Sequence, residues 1–399
     1  MGKQQRLLYI VLKSMLLPLV LLTTTACATL FSGQPQVVTP TPKIVYSTIM
    51  PPTQPLSCSG QSPQTTTFVT AQGTQLLYRN APLRLYGYTF YPALIGGSKA
   101  WRKPDFTHYI DHVLNMGKAT GQNLIRPTDF WDAQNISSPQ ENVIIWQNLD
   151  YLVCTAKLRG LFVEMDISAL AHWLTSQHQD PYNARNWTAF VRAVGKHYAD
   201  QSSIAFYSVL GEPPPPKTKD EMHRLVDFYR VVTDELANAD GGHHLISAGG
   251  FNHMEDESTN IPWWHTIYQL PHNTLVAFKT YSQKDIQLLP TITTFAGRIS
   301  KPAFDEEFGL PQNMGDAAYT GESYNNIQMG RAQFYQQVYS LGELHALMGF
   351  IFWNMGCELK SSSYEVNPNT PAVWTVIQSH APVPPDPSIS TNNLCPPQN

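Results

Sequence analysis

The chain has 399 residues, of which 42% are hydrophobic and 14% are charged, and its formal net charge is −4. This length is enough for one large core or two ordinary ones, and the composition excludes a disordered, highly charged chain. No run of lysine and arginine stands out, so nucleic acid is not an expected partner. The 9 tryptophans and 19 tyrosines suit either core packing or stacking against sugar rings.

Residues 1–26 are predicted to be an export signal. Lys3 and Arg6 precede an apolar stretch that ends in Thr-Thr-Ala-Cys at positions 24–27, a pattern typical of a signal peptide rather than of a membrane-spanning helix. The end resembles a bacterial lipobox, in which the cysteine thiol accepts a lipid, with Thr24 standing where Leu is usual. We therefore expect lipidation of Cys27 and an extracellular, cell-surface lipoprotein of a bacterium. Plain secretion is the alternative.

Segments rich in proline, threonine and serine flank a single block of sequence. Residues 27–65 are predicted to be an extended tether from the membrane anchor, and 381–399 a similar tail. Cys58 and Cys395 lie in these two flanks, where an oxidising compartment would let them pair and tie the ends together. Cys154 is predicted to be a small core residue. No clustering of Cys and His suggests a metal site, and neither a metal nor an organic cofactor is expected.

The block between the flanks, residues 66–380, alternates short apolar runs with helical patterns. Eight runs bounded by Gly, Pro, Asn or polar residues predict buried parallel strands: 84–90, 123–126, 160–167, 204–210, 244–249, 274–278, 302–306 and 349–355. Between them, apolar stripes within 145–156, 187–198 and 222–236 predict helices with one buried face. The alternation predicts a (β/α)8 TIM barrel. An open doubly wound sheet is the alternative, although no GxGxxG follows the first strand.

Functional residues are expected at the carboxyl ends of the barrel strands. Glu212 follows the fourth strand and Glu307 lies at the end of the seventh, so the two should face each other across the barrel mouth. Opposed carboxylates suit cleavage of a glycosidic bond, in which one donates a proton and the other attacks or activates water. Arg126 and Tyr281 can hold the ionised carboxylate, and Trp353 can form the floor under a sugar ring. Singly, each has an ordinary structural explanation, so the prediction depends on the set.

Several segments also resemble a known family. They are NLIRPTDFW at 123–131, IAFYSVLGEP at 204–213, KPAFDEEFG at 301–309 and GFIFWNMG at 349–356. Together they resemble glycoside hydrolase family 5, in the clan of retaining (β/α)8 glycosidases, and most of all its endo-β-1,4-mannanases and related cellulases. The resemblance covers about residues 66–380.

The resemblance implies roles for five of the strand-end residues. Glu212 would be the acid/base and Glu307 the nucleophile, Arg126 and Tyr281 would be partners of the nucleophile, and Trp353 would be the floor of the central subsite. Trp131, within the first of these segments, and His253, after the fifth strand, complete the expected contacts with a polysaccharide or oligosaccharide.

Three positions depart from the family pattern. Gly211 stands where the family has an Asn that binds the sugar hydroxyl next to the reacting carbon. Lys279 stands where His is common, and "DISALAHW" (166–173) lacks a usual polar pair, for which His172 or a water would have to compensate. Loss of one such donor costs on the order of 2–4 kcal/mol of transition-state stabilisation. We therefore expect Gly211→Asn to raise the rate if the missing hydrogen bond limits catalysis.

Three interpretations follow. The first is a retaining β-glycosidase that hydrolyses a β-1,4-linked mannan or glucan. The second, prompted by the three departures, is a catalytically impaired carbohydrate-binding lipoprotein on the same barrel. The third is a barrel from another family of the clan with an exo mode of action. The sequence leaves the substrate, the endo or exo mode and the oligomeric state open.

Overall fold

The computed structural model describes residues 50–58, 67–130, 139–252, 254 and 263–395. The strands in these residues form two sheets. A small antiparallel sheet comes first: β1 (Thr70–Gln72), β2 (Gln75–Tyr78) and β3 (Ala81–Leu83). Eight parallel strands follow: β4 (Leu85–Phe90), β5 (Leu124–Pro127), β6 (Phe162–Asp166), β7 (Ile204–Ser208), β8 (Leu245–Ser247), β9 (Val276–Thr280), β10 (Ala303–Phe308) and β11 (Gly349–Phe352). Each of the eight predicted strands is confirmed.

Helices lie between these strands. They are α1 (Thr107–Ala119), α2 (Pro139–Leu158), α3 (Ala169–Ser176), α4 (Thr188–Tyr198), α5 (Lys219–Asp240), α6 (Trp263–Tyr268), α7 (Gln283–Arg298), α8 (Arg331–Leu344) and α9 (Pro371–Ser379). The longest, α5, shows why the ends fall where they do. The Thr218 side chain accepts a hydrogen bond from the Glu221 amide at its start, and Gly241 takes a left-handed conformation at its end (φ 72°). The three predicted helical stripes lie in α2, α4 and α5.

The parallel strands run in the order β8-β7-β6-β5-β4-β11-β10-β9, and the two outer strands meet at a seam. Across the seam the Thr274 amide donates to the Ile246 carbonyl at 2.7 Å. Side chains supply further bonds: the Ile246 amide donates to Thr274 Oγ1 (2.8 Å) and the Ala248 amide to Asn273 Oδ1 (3.0 Å). The sheet therefore closes on itself, and the predicted (β/α)8 barrel is confirmed.

The amino-terminal end of the barrel is filled by apolar side chains. Four strands contribute Leu85, Leu124, Phe206 and Phe304 to one buried cluster, which also contains Leu76 of the small sheet. The sheet β1–β3 thus covers this end. Polar side chains lie instead towards the carboxyl ends of the strands.

Both flanks of the predicted domain pack onto the barrel. The Leu56 amide donates to the His197 carbonyl at 2.8 Å, and the Asp386 amide donates to the Lys118 carbonyl at 3.0 Å. The packed region therefore extends beyond the predicted 66–380 on both sides, into 50–58 and through 395. Within the described residues no helix is long and apolar enough to cross a membrane.

The predicted pairing of Cys58 with Cys395 is wrong. Cys58 is bonded to Cys154 of α2, and Cys395 is bonded to Cys357 after β11, with Cα–Cα distances of 5.4 and 5.5 Å. Packing of each flank against its own part of the barrel surface explains the difference. Each flank cysteine meets a cysteine of the barrel domain rather than the other flank, so Cys154 is not a free core residue.

Candidate active site

A bulge in β10 delivers Glu307 to the barrel mouth. Asp305 is paired with Phe278 of β9, but the next paired residue of β10 is Glu307, with Lys279, so Glu306 is an extra residue. In a regular strand, neighbouring side chains point to opposite faces. A bulge breaks that alternation and re-aims side chains. Both Glu306 and Glu307 consequently face Arg126 of β5, at 3.7 and 2.5 Å.

Glu307 is held by three donors. Arg126 Nη1 (2.5 Å) and Lys279 Nζ (2.9 Å) donate to its Oε2, and Tyr281 Oη donates to its Oε1 at 2.7 Å. Burial raises the pKa of Glu307, but the charges of Lys279 and Arg126 and the hydrogen bonds from Lys279 and Tyr281 outweigh it and bring the pKa to about 2. Glu307 is therefore an ionised, oriented carboxylate at neutral pH.

Arg126 is the centre of a buried carboxylate network. Besides Glu307, its guanidinium lies 3.2 Å from Glu164, 2.7 Å from Asp166 and 3.7 Å from Glu306. Burial raises the pKa of Glu164 well above its ordinary value, and the neighbouring Glu306 adds to the rise. Arg126 and Lys279 cannot together neutralise all four carboxylates in a dry interior, so Glu164 is held towards its protonated form.

Glu212 stands just beyond the end of β7, on a segment that continues the barrel pairing. The Leu210 amide donates to the Ala248 carbonyl at 2.9 Å and the Glu212 amide to the Gly250 carbonyl at 3.1 Å. Glu212 has φ 54°, a left-handed conformation that is uncommon for a residue with a side chain. Its side chain is 46% exposed, so it can exchange protons with solvent while facing the mouth.

Lys279 joins the two glutamates. Its Nζ lies 2.9 Å from Glu307 Oε2 and 3.2 Å from Glu212 Oε1. These distances sum to 6.1 Å, which is therefore the greatest separation that the two oxygens can have. Retaining glycosidases have carboxyl groups about 5–5.5 Å apart, and inverting enzymes about 6.5–9.5 Å. The upper bound lies below the inverting range and includes the retaining distance.

The structure explains why position 211 is a glycine, which the sequence alone did not. A Cβ built on it would lie 2.8 Å from the Gly250 carbonyl oxygen and 3.5 Å from Lys279 Cε. The same Gly250 oxygen accepts the Glu212 amide. A side chain at position 211 would thus press on the backbone that positions Glu212, while the Lys279 stem lies alongside. The expectation that Gly211→Asn raises the rate is therefore not supported by the geometry.

Both glutamates line one cavity of about 510 Å³. Trp353 lies on its wall, stacked against Tyr91 with ring centroids 6.0 Å apart. The other lining residues lie after β8, at the start of α7, at 324–326 and at 364. They were not predicted: Asn252, Ser282, Lys284, Asp285, Tyr324, Asn325, Asn326 and Tyr364, with the predicted Tyr281 beside them. A larger groove of about 970 Å³ runs beside α5, between Tyr182 and Pro214–Pro216. That groove contains neither glutamate, so the smaller cavity is the candidate active site.

The predicted site residues divide into two groups. Glu212, Glu307, Arg126, Tyr281 and Trp353 are brought together at the cavity. Trp131, His253 and Cys27 lie outside the described residues.

His172, named above as a compensating group after the third strand, pairs with Asp129 at 3.2 Å. The sequence analysis did not predict the buried network of carboxylates around Arg126. Glu164, a single glutamate within the apolar run GLFVEMDI (160–167), was a usable signal for it. In the part of the chain that the structure describes, no group of three or more His, Cys, Asp or Glu side chains is placed to hold a metal ion.

A closed barrel of eight parallel strands with helices between them is a (β/α)8 fold. No protein-family model and no curated protein matches the chain by sequence. Solved structures do match its fold, and among them are structures described as glycoside hydrolase family 5, the family predicted from the sequence.

Three of these structures illustrate the likeness. An endo-β-1,4-mannanase from Thermotoga petrophila is 15% identical with a TM-score of 0.57, covering 75% of this chain and 76% of its own. A glycoside hydrolase family 5 mannosidase from Rhizomucor miehei is 14% identical with a TM-score of 0.57 (79% and 96% covered). A β-glucanase from Saccharophagus degradans, in complex with cellotetraose, is 12% identical with a TM-score of 0.59 (83% and 98% covered). At such identities the likeness establishes the fold.

Proposed function

We propose that the protein is a retaining β-glycosidase that hydrolyses a β-1,4-linked polysaccharide of the mannan or glucan type. The observation that carries the proposal is the pairing of Glu212 and Glu307 across the cavity, with their nearest oxygens no more than 6.1 Å apart through Lys279. The structural neighbours, which include mannanases and a glucanase, support the same substrate class.

In this proposal Glu307 is the nucleophile. Its low pKa keeps it ionised, and Arg126 and Tyr281 fix its two oxygens. A carboxylate oxygen of Glu307 forms a bond to the anomeric carbon while the bond from that carbon to the glycosidic oxygen breaks. Burial, together with the Glu307 charge, raises the pKa of Tyr281 well above its ordinary value, so its hydroxyl stays protonated as a donor throughout.

Glu212 is the acid/base. It donates a proton to the departing glycosidic oxygen, and then takes one from the water that cleaves the glycosyl ester on Glu307. Its 46% exposure gives access to the water that the second step consumes. Trp353 and the loop tyrosines Tyr324 and Tyr364 offer apolar faces for the sugar rings on either side.

The test is release of reducing sugar by the purified chain from a panel of β-1,4-mannans and β-1,4-glucans, with Glu307→Gln as the control. Release that is lost in Glu307→Gln supports the proposal and names the polymer. Any truncated version must retain Cys58, because its partner Cys154 lies in the barrel domain. Release that persists in Glu307→Gln would contradict the assignment of the nucleophile.

The second candidate function is a carbohydrate-binding protein without turnover, and one observation favours it. The Lys279 ammonium group lies 3.2 Å from Glu212, so the side chain proposed to contact the leaving group is held in an ion pair. Binding of the same polymers, measured by affinity electrophoresis, without release of reducing sugar would establish this function instead.

We also propose that the protein is exported and anchored at Cys27, as the resemblance of positions 24–27 to a lipobox suggests. Detergent partitioning of the protein expressed in a bacterial host, with Cys27→Ser as the matched control, tests this. A shift of the variant alone into the aqueous phase is the expected result.

A further inference from the structure

Lys279 holds Glu307, and the two-carboxylate mechanism gives it no contact with the substrate. Its side chain is only 7% exposed, yet its ammonium group stands between the two glutamates. Burying a lysine is costly unless the charge is compensated. Here Glu307 and Glu212 compensate it: burial lowers the pKa of Lys279, and the two carboxylates more than reverse that effect.

The position of Nζ restricts what it can touch in a complex. In a retaining enzyme the anomeric carbon lies between the acid/base and the nucleophile. A group within 3.2 Å of an oxygen of each therefore lies beside that carbon. The hydroxyl on the adjacent ring carbon, C2, is the substrate group nearest to it whose hydrogen bonds strengthen in the transition state.

The hydrogen-bond inventory points the same way. An ammonium group has three hydrogens. One is donated to Glu307, and the ion pair with Glu212 takes at most one more. Tyr281 has a single hydroxyl hydrogen, which it donates to Glu307, and Arg126 faces four carboxylates. Lys279 therefore keeps a hydrogen beside both glutamates, whereas the remaining hydrogens of Arg126, including the one on Nε, face buried carboxylates.

Lys279 also lies beside position 211. Gly211 has no side chain to offer the substrate, and the Lys279 stem lies 3.5 Å from where its Cβ would be. The lysine therefore fills the space beside position 211 from the neighbouring side of the barrel.

We propose that Lys279 is a catalytic residue that donates a hydrogen bond to the C2 hydroxyl of the sugar undergoing cleavage. This inference rests on the proposed glycosidase function. It assigns to a β9 lysine the transition-state contact that Gly211, after β7, cannot make.

The experiment compares aryl β-glycosides of cellobiose and mannobiose with analogues lacking the C2 hydroxyl on the ring bonded to the aryl group. One donor of this kind is worth about 100- to 1,000-fold in rate. The wild-type protein should therefore prefer the hydroxylated substrate by about that factor in kcat/KM. In Lys279→Met the preference should fall below about 10-fold, because the variant loses far more activity on the hydroxylated substrate than on the deoxy one.

A second variant separates the hydrogen bond from the charge. Lys279→Gln keeps a donor but no charge, so it should retain more of the preference for the C2 hydroxyl than Lys279→Met does. It also serves if Lys279→Met does not fold. Equal losses on both substrates in these variants, leaving the preference unchanged, would show that Lys279 acts only on the carboxylates and would overturn the assignment. A wild-type protein that cleaves none of these substrates or polymers would instead overturn the glycosidase proposal itself, and this inference with it.

Discussion

Substituting Gly211 by Asn, the residue that the family resemblance suggests, should damage the protein rather than improve it. The new Cβ would lie 2.8 Å from the Gly250 carbonyl oxygen, so the two backbone segments must separate by several tenths of an ångström. Overpacking of this kind costs about 1–3 kcal/mol. For a domain of this size, that lowers Tm by about 1–4 °C.

Activity should fall as well, because the displaced Gly250 oxygen also accepts the amide of Glu212. A misplacement approaching 1 Å of a catalytic group can cost about 100-fold in rate, so we expect kcat/KM to fall by about 10- to 100-fold. Thermal unfolding and polysaccharide hydrolysis measure the two effects. Gly297→Asn is the matched control, because a Cβ on Gly297 of α7 meets nothing within 4 Å. An unchanged Tm with a raised kcat/KM in Gly211→Asn would refute this reasoning.

Three further predictions concern the groups around the site and the disulfides. Tyr281→Phe removes a hydrogen bond to the ionised Glu307, worth about 1.5–3 kcal/mol, and should lower kcat/KM by about 10- to 150-fold in a steady-state assay. The lowered pKa of Glu307, about 2, contributes stability that is present above its unfolded pKa and is lost as pH falls towards 2. Urea unfolding should therefore show the wild type losing about 2 kcal/mol more than Glu307→Gln between pH 6 and pH 3. Removing the Cys58–Cys154 bond, which spans 96 residues, should cost about 4–5 kcal/mol. Removing Cys357–Cys395, which spans 38, should cost about 3–4 kcal/mol.

Each of these predictions has an outcome that contradicts it. Tyr281→Phe with wild-type kcat/KM would mean that its hydroxyl does not orient the nucleophile. Parallel pH curves for the wild type and Glu307→Gln would show that Glu307 titrates normally. Peptide mapping under non-reducing conditions should recover Cys58 with Cys154, and recovery of Cys58 with Cys395 would overturn the connectivity.

Much of the barrel and the centre of the site followed from the sequence, for a physical reason. Buried parallel strands must be apolar runs, and their carboxyl ends lie on one face, so Glu212 and Glu307 could be placed without coordinates. The bulge at Glu306 could not be placed, because an extra residue in a strand leaves no periodic mark in the short run DEEF. The disulfides also could not be predicted, since spacing along the chain says nothing about which parts of a surface meet.

Lys279 shows the same limit at the level of one side chain. Compared with a family pattern, it looks like the loss of a histidine, and Gly211 looks like the loss of an asparagine. The two positions are neighbours in the fold, since Lys279 Cε lies 3.5 Å from the place of a Cβ on Gly211. A position-by-position comparison counts two separate losses. In the structure, the side chain of Lys279 occupies space beside the position where Gly211 has no side chain.

At the seam between β8 and β9, closure of the barrel depends on particular side chains. Two of its amides, those of Ile246 and Ala248, are satisfied by Thr274 and Asn273 side chains rather than by a neighbouring strand's carbonyls. Elsewhere in the sheet, main-chain hydrogen bonds join the strands, and a change of side chain leaves those groups in place. At the seam a single exchange such as Asn273→Leu would leave an amide orphaned in a dry interior. Amides of 246–250 should then be the first in the central sheet to exchange with deuterium. Glu212 would be affected as well, because its amide donates to the carbonyl of Gly250 in this segment.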